Sequence, residues 1–527
     1  MLAPGLPVPC ARKRTSLTWT AARRHARIGS ATEPIRIARS VPVHRLLPAL
    51  TDTPDRPALR FGERALTYGE LASAAAPLAA RLAGSARVAV WATPTLETAV
   101  GVVAALLAGV AAVPVNPKSG DSELGHIVAD SAPDAVLAAP GTRLPPALAA
   151  LERIDVDAAA RAGQPAALPA EPDDPETPAF VVYTSGTTGP PKGAVLPRRA
   201  VSSTLDALRD AWQWTERDTL VHGLPLFHVH GLILGIIGPL RRGGAVRHLG
   251  RFDTAGVTRE LSSGATMLFG VPTMYHRIAE ALPADPALTE ALASARLLVS
   301  GSAALPVHDH ERITALTGQR VVERYGMTET LMNTSVRADG DPRPGAVGVP
   351  LPGVELRLAE DDGTTEVPAG DPEAVGEIQV RGPNLFLEYL NRPDATAAAF
   401  APGGWFRTGD MAVRDLDGYV RIIGRRATDL IKSGGYKIGA GEIENALLAH
   451  PGVQEAAVTG APDADLGERV VAWVVPADAE HPPHADELAD HVAGLLAPHK
   501  RPRTVRYLDA LPRNDMGKIL KRALPDG

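Results

Sequence analysis

Apolar and polar positions alternate in two regimes along the chain. Through about residue 350, short apolar runs such as Val88 to Trp91 and Ala179 to Val182 are separated by apolar helical stretches and tight turns. That is the pattern of an α/β fold. The longest apolar stretch, Ala99 to Val113, is punctuated by Gly109 and followed by Pro114. It is shorter than the ~20 residues a bilayer requires, so it predicts a buried helix, a turn and a strand, and no membrane span. From about residue 350 the period shortens to two, in segments such as VELRLAE, GEIQVRG and GYVRIIG, which predict a β-rich region. Beyond about 426 the pattern predicts a helix over 441–449, strands over 454–459 and 470–475, and a helix over 485–496. That is enough for a separate small α+β domain. The chain therefore divides into an N-terminal extension (1–42), a large domain (43–425) and a small domain (426–527).

Composition narrows the function classes. The mix of 45% hydrophobic and 22% charged residues is that of a globular protein. The single cysteine, Cys10, excludes a disulfide framework and any multi-cysteine metal site. A net charge of −6 argues against a nucleic-acid partner. The first 40 residues depart from this balance, with eight basic residues against one acid, Glu33. Such a leader reads either as a transit peptide or, preferably, as an unstructured extension without function. Only eight of the 54 basic residues are lysines, so a lysine inside a motif is the first place to look for chemistry.

Residues 183–193 read YTSGTTGPPKG after an apolar strand. Backbone N–H groups and hydroxyls in such a loop can cradle a polyphosphate, with Lys192 supplying charge. The string fits neither a Walker A loop nor a dinucleotide turn. It resembles instead the signature of the adenylate-forming superfamily, which includes acyl-CoA synthetases, amino-acid adenylation domains and luciferases. Four further segments resemble that family's motifs in the same order: PLFHVHG (225–231), YGMTET (325–330), WFRTGD (405–410) and GRRATDLIKSGGYKI (424–438). PRNDMGK (512–518) completes the set, so the resemblance spans roughly 45–525.

The resemblance implies a large N-terminal domain, a small mobile C-terminal domain, and ATP, Mg²⁺ and coenzyme A as cofactor and cosubstrates. It assigns Thr184, Ser185, Gly186, Thr187, Thr188 and Lys192 to the β/γ-phosphates. Ser302, Arg324, Tyr325, Gly326, Met327 and Thr328 fall to the rest of the nucleotide, with Tyr325 against adenine and Thr328 at the α-phosphate. Glu329 and Thr188 are the expected Mg²⁺ ligands. Asp410 is the expected ribose acceptor, helped by Arg425 or Arg426, because one extra residue separates this arginine pair from Asp429. Lys518 is the expected catalytic lysine and His228 a gate beside the reacting carboxylate. Ser433, Gly434, Gly435 and Tyr436 are expected along the coenzyme A tunnel, and Lys521 is expected to be a solvated tail lysine.

For the acyl group, a basic residue aimed into the pocket would select a second carboxylate. If VPTMYHR begins a helix, Met274 and Arg277 share a face. A buried Arg277 is preferred to Arg296 as that cation, with Ser300, Met327 and His228 alongside. The motifs together resemble malonyl-CoA ligases of the MatB type. This implies a cytoplasmic monomer or weak homodimer that ligates malonate, and methylmalonate, to coenzyme A. The alternatives are a short-chain or aryl monocarboxylate ligase of the same superfamily, or an amino-acid adenylating enzyme. No nucleic acid is expected as partner.

Overall fold

The computed structural model describes residues 45–525 except 159–167, 185–189, 342, 372–373, 427 and 514–518. Pro42–Gly527 forms one compact unit. Local sequence explains the first layer. The helix Leu96–Ala108 is buried along all but its last residue and ends where Gly109 adopts φ 71°. A side chain at Gly109 would meet the Pro172 ring 2.7 Å away, so a residue with a Cβ is excluded twice over. The fully buried strand Ala111–Val115 follows, as the pattern of this apolar run requires. Among the described residues, no helix is long and apolar enough to cross a membrane.

Two sheets carry the large domain's α/β part. A six-stranded sheet is parallel at its centre. It ends in the antiparallel pair Pro178–Thr184 and Lys192–Pro197, whose connection is the glycine- and threonine-rich loop. A nine-stranded sheet has the parallel strands Thr219–His222, Met267–Gly270, Leu297–Ser300 and Val321–Met327 side by side. In open sheets of this kind ligands gather beyond the carboxyl ends of the strands. PLFHVHG, VSGS and YGMTET all follow or finish such ends.

The period-two region forms a five-stranded antiparallel sheet built on Glu355–Ala359, Gly376–Arg381, Trp405–Arg414 and Val420–Arg425. The C-terminal segment folds on its own apolar cluster, including Ile431, Ile438, Ile443, Leu447, Val458 and Val474. Its helices Ala440–Leu448 and Ala485–Leu495 and its long strands Val453–Asp463 and Gly467–Pro476 fall within a few residues of the predicted spans. This is the mixed α/β architecture, with a β-rich region and a small α+β part, that the pattern predicts.

Candidate active site

Lys192 opens the strand that returns from the phosphate loop, paired with Thr184 on the outgoing strand. Its ammonium lies 4.4 Å from the centre of the Tyr389 ring. Tyr389 is brought there by a loop that lies along the same returning strand, with Leu387 N–H donating to Val195 and Leu390 N–H to Gly193, both at 2.8 Å. The Tyr389 hydroxyl donates to Glu329 Oε1 at 2.7 Å, and Glu329 is buried. Burial first, then the neighbouring Glu329 charge, push the Tyr389 phenol up, so it stays a proton donor. Lys192, Tyr389 and Glu329 thus form one connected unit. Tyr389 lies outside every recognised motif. Only tertiary pairing with residues two hundred positions away places it.

A second unit adjoins it. Tyr325 donates to Asp410 Oδ2 at 2.6 Å. Asp410 faces Arg425 across the antiparallel pair, with Arg425 Nε 3.1 Å from Oδ1. Asp410 first, and more weakly Glu329, hold the Arg425 guanidinium above its ordinary range. Arg426 points elsewhere, to Asp361 at 3.0 Å and Glu377 at 3.6 Å. The extra residue in this motif is therefore absorbed after Arg425, and Arg425 is the arginine beside Asp410. Met327 and Gly326 end the same strand half-buried, and Thr328 starts the turn that presents Glu329.

Tyr325 and Arg324 are consecutive in a strand, so their side chains leave on opposite faces. Arg324 points away from Asp410, towards Gly301, where an added Cβ would lie 2.3 Å from its guanidinium carbon. It is buried, and among the described residues its Nε and Nη2 have no hydrogen-bond partner. Burial lowers it to about 10, which leaves it protonated at neutral pH. His230 stands nearby, buried and neutral. Burial holds it well below the ordinary histidine range, and the Arg324 charge adds to that effect. Its Nε2 also has no partner among the described residues, and its Nδ1 is 3.5 Å from Ser302 Oγ. Ser302 holds a left-handed backbone, φ 76°, which is uncommon for a residue with a side chain and concentrates at functional loops. Ser300 is fully buried and its hydroxyl has no partner among the described residues, and His228 lies half-buried against the Phe227 ring.

The two arginines proposed for a second carboxylate behave differently from expectation. Arg277 does share a helix face with Met274, on Pro272–Ala281, but it is exposed, not buried. Tyr275, Ile278 and Ala279 take the helix's buried face, and 277 falls between them on the opposite side. Arg296 is engaged elsewhere. It forms a two-pronged salt bridge with Asp218, 2.9 Å at each contact, and donates to the Trp212 carbonyl at 2.9 Å. It also precedes Leu297, at the amino end of its strand, whereas Ser300 sits at the carboxyl end, ~10 Å on. Arg296→Met is expected to lower the thermal unfolding midpoint, by about 1–3 kcal/mol of stability, since it strands the buried Asp218 carboxylate. The KM for the carboxylate substrate is expected to stay within about twofold. A large KM change with unchanged stability would return Arg296 to the acyl pocket.

The small-domain residues fall into two groups. Gly434 and Gly435, with φ 58° and 85°, form the tight turn of a hairpin whose register pairs Ser433 with Tyr436. Tyr436 is 51% exposed and stacked on His499, and Lys437 reaches Asp361 at 3.1 Å. The hairpin's described contacts run to Leu466, Glu468, His499 and Asp361, not to the Glu329–Asp410 residues. Lys521, expected to be solvated, is a half-buried, ion-paired residue instead. Its ammonium is 2.8 Å from Asp429 and 2.7 Å from Glu444. Burial would lower it, but the two carboxylates outweigh that and hold it above the ordinary lysine range. Ser185, Gly186, Thr187, Thr188 and Lys518 lie outside the described residues.

Comparison with known proteins agrees with this geometry. Residues 48–390 match the AMP-binding enzyme family and residues 442–518 the AMP-binding enzyme C-terminal domain. A malonate–CoA ligase of Arabidopsis thaliana is 36% identical over 480 residues, 83% of this chain and 77% of that protein. A solved malonyl-CoA ligase ternary product complex, with methylmalonyl-CoA and AMP bound, is 74% identical. It covers 89% of this chain and 100% of its own, with a TM-score of 0.69. The ATP-bound MatB structure from Rhodopseudomonas palustris is 36% identical over 91% of this chain and 97% of its own, with a TM-score of 0.82. The chain belongs to the AMP-binding enzyme family.

Proposed function

We propose that this protein ligates malonate, and methylmalonate, to coenzyme A in two steps through an acyl-adenylate. In the first step a substrate carboxylate oxygen attacks the α-phosphorus of ATP and pyrophosphate leaves. In the second, the coenzyme A thiolate attacks the acyl carbon and AMP leaves. Both reactants of the first step are anions, so fixed cations must offset the charge that builds up. Lys192 supplies one on the phosphate side and Lys518 the other at the reacting oxygen. Glu329, whose second carboxylate oxygen is not taken by Tyr389, would hold Mg²⁺ with Thr188. The ion would neutralise phosphate charge. Asp410, paired with Arg425, accepts from the ribose hydroxyls.

The observation that carries the substrate class is Arg324. A guanidinium with unpartnered donors in a buried pocket is costly unless an anion completes it. It lies on the strand face away from Asp410, so the anion it suits is the substrate's distal carboxylate, not the nucleotide. This moves Arg324 from the nucleotide set to the acyl set, with His230 and, next to it, Ser302 alongside. A buried cation with polar neighbours such as His230 and Ser302 fits a short diacid better than an aryl or fatty acid. Because PLFHVHG carries no acid to pair a substrate ammonium, it also disfavours an amino acid. The large catalytic part is taken as 43–425 and the mobile part as 426–527, in a cytoplasmic monomer or weak homodimer.

The test is coenzyme A-dependent AMP release across malonate, methylmalonate, succinate, acetate, propionate and benzoate. Malonate and methylmalonate are expected to exceed the monocarboxylates in kcat/KM by at least about 10²-fold, the discrimination a buried charge pair affords. Equal turnover of propionate and malonate would overturn the assignment.

A further inference from the structure

Away from the nucleotide and acyl residues, two helices bring together three groups with metal-ligand chemistry. His276 lies on Pro272–Ala281, and His308 and Asp309 lie in the first turn of Val307–Thr317. His276 Nδ1 is 3.2 and 3.1 Å from the two Asp309 carboxylate oxygens, and His308 Nε2 is 3.1 Å from Oδ1. One ligand atom from each of the three residues lies within 4.8 Å of the others. A tetrahedral zinc site with bonds of about 2.0–2.1 Å has ligand-to-ligand edges of about 3.3–3.4 Å. The imidazole-to-carboxylate separations already approach that edge, so little rearrangement is needed to admit an ion.

The surroundings fit as well. The Asp309 side chain is 1% exposed, which fixes the carboxylate, whereas both histidines are 34% exposed and leave a route from solvent. The other ring nitrogen of His276 faces Glu280 at 3.6 Å, one helical turn on. A carboxylate behind a ligating imidazole sets its tautomer and raises its donor strength. Two neutral imidazoles, one carboxylate and a second carboxylate behind them balance a divalent charge. None of these residues serves the reaction proposed above, although His276 immediately precedes Arg277. Glu455 of the small domain also acts electrostatically on His276 and is itself paired with Arg513 at 3.1 Å. The cluster therefore sits where the small domain meets the large one.

We infer that His276, His308 and Asp309 form a binding site for one zinc-class divalent cation, open to solvent for its fourth ligand and separate from Glu329. The test uses the full chain, free of any polyhistidine tag and stripped of metal. Zinc is titrated against a chromophoric chelator, and cobalt(II) is added in a parallel sample. One equivalent of zinc is expected to bind at micromolar free metal, and cobalt(II) is expected to give the intense visible bands of a tetrahedral site. The double variant His276→Gln/His308→Gln is expected to lose at least about tenfold in zinc affinity, whereas His481→Gln, at an exposed histidine, leaves it unchanged. Unaltered affinity in the double variant, or no binding to the parent at micromolar zinc, overturns the site and leaves three hydrogen bonds that merely tie the helices together. Should the double variant not fold, the cobalt(II) spectrum of the parent decides. An octahedral spectrum without intense bands then overturns the proposal.

Discussion

Arg324→Met is expected to lower kcat/KM for malonate by about 10²–10³-fold and, at the same time, to raise the unfolding midpoint of the free protein. Both effects follow from one physical fact. In the unliganded chain Arg324 is a buried cation with Nε and Nη2 unpartnered among the described residues. Desolvating it costs several kcal/mol that no acid among the described residues is shown to offset. Methionine fills much of the same volume without a charge, so the free protein gains stability. The bound diacid loses the pairing that offset its own desolvation. A stranded buried carboxylate costs about 3–5 kcal/mol, and at 1.4 kcal/mol per factor of ten that sets the size of the kinetic loss. Propionate has no distal charge to strand, so its kcat/KM is expected to hold or rise. Steady-state kinetics on both acids and a thermal melt of the apo variant check all of this. A midpoint that falls together with malonate activity would make Arg324 a structural cation, and the diacid reading would lose its main support.

That pair of effects also marks where sequence reasoning reached and where it stopped. The α/β order, the buried run ending at Gly109 and the elements of the small domain were legible because each is written in local period and in a few turn residues. The nucleotide side was legible because its residues sit inside contiguous motifs. Asp410 and Arg425, for instance, lie in segments recognisable as strings even though their pairing is tertiary. The acyl side was not. Arg296 and Arg324 both stand in or just before apolar strands, and sequence offers no way to see that one has Asp218 waiting while the other keeps Nε and Nη2 without a partner among the described residues. Arg277 was predicted to be buried because helical spacing shows which residues share a face, not which face the core covers. Tyr389 and Lys521 were missed for a related reason. Their importance lies in partners far away in sequence: Glu329 and Lys192 for one, Asp429 and Glu444 for the other. Residues whose role is to complete a distant charge carry no local signature.

Lys518→Ala is expected to separate the two half-reactions. The frame around this lysine makes the prediction specific. A bridge between Arg513 and Ile519 closes the base of its loop, and the Leu520 N–H donates to the Pro512 carbonyl at 2.8 Å. Just beyond, Lys521 is clamped between Asp429 and Glu444. Asp429 also accepts from the Arg425 N–H at 3.0 Å, and Arg425 is the residue that holds Asp410. The loop base is thus tied, through charged contacts, to the segment beside the ribose site. By the proposed mechanism the Lys518 ammonium serves adenylation, where two anions meet, and not the thiolate's attack on the acyl carbon. Removing it deletes transition-state charge stabilisation worth about 10²–10³ in rate. Malonate-dependent exchange of pyrophosphate into ATP is therefore expected to fall by that factor, while conversion of preformed malonyl-adenylate and coenzyme A to malonyl-CoA changes only severalfold. Arginine at this position would restore charge but not the compact reach of the ammonium, so it is expected to recover only part of the loss. If exchange survives in Lys518→Ala, or if both half-reactions fall equally, the lysine does not act on the first step alone. The division of labour between the two half-reactions would then have to rest on other residues.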